Sequence, residues 1–281
     1  MANVTITTAA NFIPELWAVP VLKALEKNVV LQPLTNRAFE GFDRSGDTIH
    51  VPGVASFSAR TLTNMTGTLT FDSNTESVTD ISVNTLAYHA VKVDSAAGVQ
   101  SKYPMMSYYT EKQGIALAIK VDTDIGSALD TGVTQNEGVD AVDLTDDDIL
   151  GAIEQVNVAN ADPNDRFMPI STKTYESFMK IDKFVNSLYA SVGSRLDGSK
   201  GRGYMGRIYD ADVYVSTNLP AGTAGTVNFY FQRECLAHVM QREIASERRI
   251  PHDELAEAII VWAIYGNKIM RATVGVELRG K

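Results

Sequence analysis

Between Ala55 and Thr75 the chain offers little from which to build a core. Ser, Thr, Asn and Gly predominate, and the apolar residues Phe57, Leu62, Met65, Leu69 and Phe71 stand apart from one another. The flanks read as strands. Gly46-Asp47-Thr48-Ile49-His50-Val51-Pro52 is a short extended signal ending at a proline. From Val78 the alternation is regular, with Ile81, Val83, Thr85, Ala87, His89, Val91 and Val93 on one side. That is the pattern of a half-buried strand. A polar stretch between two strands reads as a long, partly exposed β-hairpin, with too little apolar content to fold back as core.

The rest of the chain mixes helix and strand. Residues 1–11 are small and polar and read as an extended arm. Ile13, Trp17, Val21 and Leu25 then fall on one side of a helical stretch from Pro14 to Lys27, in which Pro14 suits the first turn and Pro20 can kink or split the helix. The spacing predicts a long helix from Pro104 to Leu129, with Ala118, Val121, Ile125 and Leu129 in one stripe and Gly132 as its C-cap. Thr145 followed by Asp146, Asp147 and Asp148 starts a second helix, whose positive end the carboxylates stabilise. Arg166 to Ile170 reads as a strand and Ser171 to Met179 as a short helix. Leu196 to Gly206, with four glycines, reads as a flexible loop. Strands follow at Ile208 to Val215, Val227 to Phe231 and Ala237 to Gln241. Ile259 to Tyr265 and Lys268 to Leu278 form an expected final hairpin turning at Gly266-Asn267.

Composition narrows the function classes. The 281 residues carry a net charge of −9, 44% hydrophobic and 21% charged residues, so the chain is globular and can bury a substantial core. Lys and Arg are scattered. The groups Arg242, Glu243, Glu247, Arg248, Arg249 and Arg195, Lys200, Arg202, Arg207 read as solvated surface, which disfavours tight DNA binding. No apolar run is of membrane length, and nothing at the N-terminus directs export. A single cysteine, Cys235, fits a reducing compartment and reads as a buried small hydrophobe.

No local pattern carries a reaction. His50, His89, His238 and His252 have no metal-ligand spacing. Asp162, Asn164 and Asp165 are interrupted by Pro163 and read as a turn rather than a calcium loop. The glycines at 198, 201, 203 and 206 precede a strand, whereas a phosphate cradle needs a helix end. We therefore expect no catalytic residue, no cofactor and no metal.

Several segments in order do resemble a known family. They are Phe12-Ile13-Pro14-Glu15-Leu16-Trp17 and Asn36-Arg37-Ala38-Phe39-Glu40-Gly41 near the start, and Ala116-Leu117-Ala118 with Asp122 and Ile125 in the long helix. Gly206-Arg207-Ile208 with Ser216-Thr217-Asn218-Leu219-Pro220 follows. Phe229 to Glu234 with Ala237 to Gln241 comes next, then Ile259 to Lys268 and Met270 to Leu278. The chain resembles the major capsid proteins of tailed bacteriophages, which have the α+β Hong Kong 97-type fold. The resemblance implies an N-terminal arm over 1–40, an extended hairpin loop with adjoining strands over 41–93, a peripheral domain with a long spine helix over 94–144 and 227–281, and an axial domain over 145–226. It implies self-assembly through pentamers and hexamers into an icosahedral head around double-stranded DNA. A separate scaffolding protein is expected, because the chain starts almost directly at the arm. A portal, a decoration protein and weak contact with packaged DNA complete the expected partners, with no membrane. Assembly would take place in the host bacterial cytoplasm and the product would be the virion.

Expected inter-subunit contacts are Phe12, Trp17, Phe57, Arg60, Leu62, Met65, Leu69 and Phe71. Arg195, Lys200 and Arg202 would crowd around a symmetry axis. Some members of the family join a hairpin lysine to a neighbour's asparagine. From Asn28 through Val91 this chain has no lysine, and Arg60 stays protonated and cannot replace one, so the contacts are expected to be noncovalent. The competing readings are a tail-tube or decoration subunit, which the long helix opposes, and an enzyme whose site forms only in space.

Overall fold

The computed structural model describes residues 29–40, 46–54, 59–61, 68, 69, 71, 73, 76–95, 105–186, 196, 203–222, 225–250 and 256–281. The expected arm with Phe12 and Trp17, the hairpin residues Phe57, Leu62 and Met65, and the loop residues Arg195, Lys200 and Arg202 lie outside them.

The polar stretch is flanked as its sequence predicts. β1 (Thr48–Val54) and β2 (Glu76–Ser82) pair antiparallel from Thr48↔Ser82 to Val54↔Glu76. The alternation from Val78 to Val93, read as one strand, is divided at Val83-Asn84. β3 (Thr85–Asp94) enters a different sheet, with β10 (Ala256–Ile269) at its centre and β9 (Leu236–Arg249) beyond. The alternation survives the break because Ile81, Val83, Ala87 and Val93 are all buried.

Gly266-Asn267 is not a turn. β10 runs straight through both residues while pairing with β9, Gly266 opposite Val239 and Asn267 opposite His238. A Cβ on Gly266 would stand 2.3 Å from the Ser82 carbonyl oxygen. The glycine thus admits the β2–β3 junction against β10, a packing role that looks like a turn signal in sequence. The expected final hairpin is therefore absent. After β10, a short 3-10 turn (Ala272–Val274) leads into β11 (Gly275–Arg279) of another sheet.

The long helix α1 (Met105–Gly132) buries Leu117, Val121, Ile125 and Leu129. Leu117 rather than Ala118 completes the stripe. Gly132 is the last helical residue and not a left-handed cap, because its φ is not positive. A Cβ there would lie 2.3 Å from Ile269 Cγ1, so it too serves close approach.

The second sheet has the order β4-β11-β8-β5-β7-β6, with β4 (Gln135–Gly138), β5 (Arg166–Ile170), β6 (Tyr204–Ile208), β7 (Ala211–Val215) and β8 (Val227–Gln232). β5 runs parallel to β7, and β4 parallel to β11; the other pairs are antiparallel. The strand expected over Ile208–Val215 is instead the β6–β7 hairpin, turning at Tyr209-Asp210 with Tyr209 at φ 53. The expected flexible loop accordingly gives way to strand at Tyr204. α2 (Asp146–Val158) opens with the predicted Thr145 cap, made reciprocal by Asp148. α3 (Thr172–Phe178) and α4 (Asp182–Val185) follow β5, α3 being capped by Ser171.

β8 is buried along its whole length. Alternation sends Phe229 and Phe231 into the core beneath α1 and Tyr230 into the core beneath α2.

Candidate interaction surfaces and the Asp122 joint

The three-stranded sheet has two unlike faces. Ile259, Val261, Ala263 and Tyr265 of β10, with Ala87 of β3, join the core beneath α1. The intervening residues point the other way. Register sets Leu86 opposite Ile264, Tyr88 opposite Trp262 and Ala90 opposite Ile260. Leu86 is 57% and Tyr88 68% exposed, and the three β10 residues are partly exposed. Ala245 of β9 extends this face opposite Trp262, and the Arg242 guanidinium stacks 4.1 Å from the Trp262 ring centroid. Trp, Tyr and Arg set in aliphatic surroundings are the composition of protein-binding surfaces. Along the β3 edge, a cavity of about 340 Å³ runs between β3 and α1, lined by Leu86, Tyr88, His89, Ala116, Leu117 and Lys120.

The hairpin contributes a second apolar surface. Leu69 is 66%, Phe71 93% and Val78 61% exposed. Arg60 is exposed as well. Of these, Arg60, Leu69 and Phe71 are the expected contact residues that the structure describes, and the subunit does not gather them into one site.

Asp122 holds three segments together. It lies on the buried side of α1 and is fully buried. Its Oδ1 accepts the Leu31 amide at 2.6 Å and the Gln32 amide at 3.2 Å. Its Oδ2 accepts the Val30 amide at 3.3 Å and Asn218 Nδ2 at 3.0 Å. The Leu31 and Gln32 amides need an acceptor because they open the 3-10 turn Gln32–Leu34, where Leu31 is the N-cap and the first donors have no partner within the turn. Burial pushes the Asp122 carboxyl above the ordinary carboxylate range, against the opposing pull of Asn218 and the three amides. One turn along α1, Gly126 leaves room for both partners. A Cβ there would lie 3.2 Å from Pro220 Cδ and 3.5 Å from Leu31 Cδ1.

Two further buried polar groups fix the frame. Arg166, 2% exposed, donates to Asp210, Tyr230 Oη, Asn157 Oδ1 and the carbonyls of Asp162 and Ala161. His238 is fully buried, and its Nδ1 lies 2.7 Å from Asn267 Oδ1. Its backbone amide donates to the Asn36 carbonyl, tying the N-terminal segment to β9. Burial lowers the His238 pKa.

Burial pushes the Cys235 thiol up to about 12, the opposite of an activated nucleophile. Asp162 Oδ1 accepts the Asn164 amide at 2.9 Å, which makes that segment a turn. Among the described residues no cluster of His, Cys, Asp or Glu could hold a metal, and no helix is long and apolar enough to cross a membrane.

Sequence reading missed the open sheet face, Asp122 and Arg166 as organising groups. The signal for Asp122 was present: a carboxylate beside Val121 and three residues before Ile125, on the side that the apolar stripe buries. The open face was hidden because β10 is apolar at nearly every position, so that its two sides look alike.

The arrangement of two sheets around α1 is shared with solved structures. A chain from Mycobacterium phage Che8 superposes with a TM-score of 0.82 at 23% identity, covering 96% of this chain and 99% of that one. The capsid structure of the cyanophage P-SCSP1u gives 0.76 at 17% identity, covering 100% and 97%. The capsid of a native GTA particle gives 0.70 at 10% identity, covering 100% and 99%. No protein-family model and no curated protein matches the sequence. The α+β architecture is that of the Hong Kong 97-type fold, as the sequence resemblance implied.

Proposed function

We propose that the chain is a major capsid protein that assembles into the icosahedral head of a tailed phage around double-stranded DNA. The observation that carries this is the fold, matched over nearly the whole of both chains to phage and GTA capsid structures. On this reading 1–40 is the arm, 41–93 the extended loop, 94–144 with 227–281 the peripheral domain, and 145–226 the axial domain. The partners are further copies in pentamers and hexamers, a separate scaffolding protein, a portal, a decoration protein and, weakly, packaged DNA. The role is structural rather than enzymatic, and its place is the virion after assembly in the host cytoplasm.

Each copy lays its hairpin, with Phe71 and Leu69, on the apolar sheet face of a neighbour around Tyr88 and Trp262. Phe12 and Trp17 of the arm, and Phe57, Arg60, Leu62 and Met65 of the hairpin, add further contacts. Arg195, Lys200 and Arg202 stand near the capsomer axis. Many modest contacts sum through effective concentration. With no lysine from Asn28 through Val91, the shell is noncovalent, and boiled particles run as one band near 30.6 kDa. Negative-stain microscopy of the protein expressed with its cognate scaffold tests the reading. Closed or curved lattices with five- and six-fold clusters are expected; a monomer at high concentration contradicts it.

A further inference from the structure

We propose that Asp122 is a positioning residue that couples the 216–220 turn to the N-terminal segment, so that moving either one loosens the other. The geometry sets this up. One fully buried carboxylate is shared between three backbone amides of residues 30–32 and the side chain of Asn218. Oδ2 takes one bond from each side, Val30 and Asn218, so the two segments meet at a single atom. A withdrawn Asn218 leaves that oxygen short of a donor in a site closed to water. The carboxylate then reorients, and its bonds to the amides lengthen. Charge from elsewhere does not hold it in place. Among the described residues, segments 29–35 and 216–220 carry no charged side chain, and Lys120 and Asp124 on α1 pair with each other. Gly126 is the second sign of a shared joint, since a Cβ there would crowd Pro220 Cδ at 3.2 Å while touching Leu31 Cδ1 at 3.5 Å.

The coupling belongs to the single subunit and stands whether or not the capsid reading holds. Its use in a shell rests on that reading: copies in unlike positions would set the axial turn and the arm together rather than separately.

Amide hydrogen exchange on the purified full-length subunit tests it. Asn218→Ala should speed exchange at Val30, Leu31 and Gln32 by about tenfold, the effect of weakening a bond to a buried charge. The Phe229 and Phe231 amides in β8 should not change, which separates the effect from general destabilisation. In an Asp122→Ala background, Asn218→Ala should add nothing further at residues 30–32. Unchanged exchange there in Asn218→Ala, or the same increment in both backgrounds, overturns the proposal. Should Asp122→Ala fail to fold, Asn218→Asp replaces it by setting a second carboxylate against the first. The three amides then open more than in Asn218→Ala if Asp122 is the relay, and no more if it is not.

Discussion

The six-stranded and the three-stranded sheets meet their surroundings differently. In the six-stranded sheet, β5 and β8 are buried on both faces, and the polar groups among them are satisfied from within the subunit. Arg166 bonds to five groups, and Asn228 accepts the Ser171 amide while donating to the Leu278 carbonyl. In the three-stranded sheet α1 closes one face; the other is covered only at one end, where Ile264 and Val239 pack on Ile81 and Val83, and beyond that it shows Tyr88 and Leu86 to solvent, with Trp262 partly exposed. The first region is closed within the subunit. The second leaves apolar surface exposed, which on the proposed function is where a neighbour docks. Substitutions should therefore divide between those that cost the fold and those that cost association.

The largest expected loss is at Arg166. Arg166→Ala leaves Asp210 and Tyr230 without their buried cation and should lower unfolding free energy by about 3–5 kcal/mol, read from urea denaturation of the subunit. A loss below 1 kcal/mol would mean that the six-stranded region is not self-sufficient in this way.

His238 comes next. Burial lowers its pKa from 6.5, so the folded chain keeps the ring neutral at pH values where the unfolded chain binds a proton. Its contribution is complete above pH 6.5 and declines as pH falls below that, with a slope of at most about 1.4 kcal/mol per pH unit. Denaturation midpoints between pH 7 and pH 5 should show this decline in the wild type and lack that part of it in His238→Leu. Parallel pH profiles would contradict it. A smaller loss, about 1 kcal/mol, is expected for Thr145→Ala, which removes the reciprocal cap of α2; thermal melts measure it.

Legibility followed the same division. The α2 cap, β5, β8 and the antiparallel pair around the polar stretch were readable because each depends on local chemistry or on a simple period. Gly266 and Gly132 misled because their function is to admit Ser82 and Ile269, residues remote in sequence. A glycine that permits contact looks the same in sequence as one that permits a turn. The β6–β7 hairpin was missed because its turn uses Tyr209 at positive φ rather than a glycine or asparagine. The sheet face that the proposed assembly needs was illegible for a further reason: which side of β10 is open depends on where α1 docks.

The smallest expected effect on the fold falls in the open region. Arg242→Ala removes a cation–π contact with Trp262, worth about 0.5–1 kcal/mol, and should scarcely move the subunit's melting point. If the face is an interface, the same change should lower assembly yield far more than stability. Equal effects on both would make the face ordinary surface.

Hydroxyl-radical footprinting of subunits and assembled particles tests the central claim most directly, because it reads side-chain exposure at named residues. Tyr88 at 68% and Phe71 at 93% exposure should label strongly in the free subunit. On assembly both should be protected severalfold, together with Trp262. Undiminished labelling of all three in closed particles would contradict the claim that this face and the hairpin are held open for neighbouring copies.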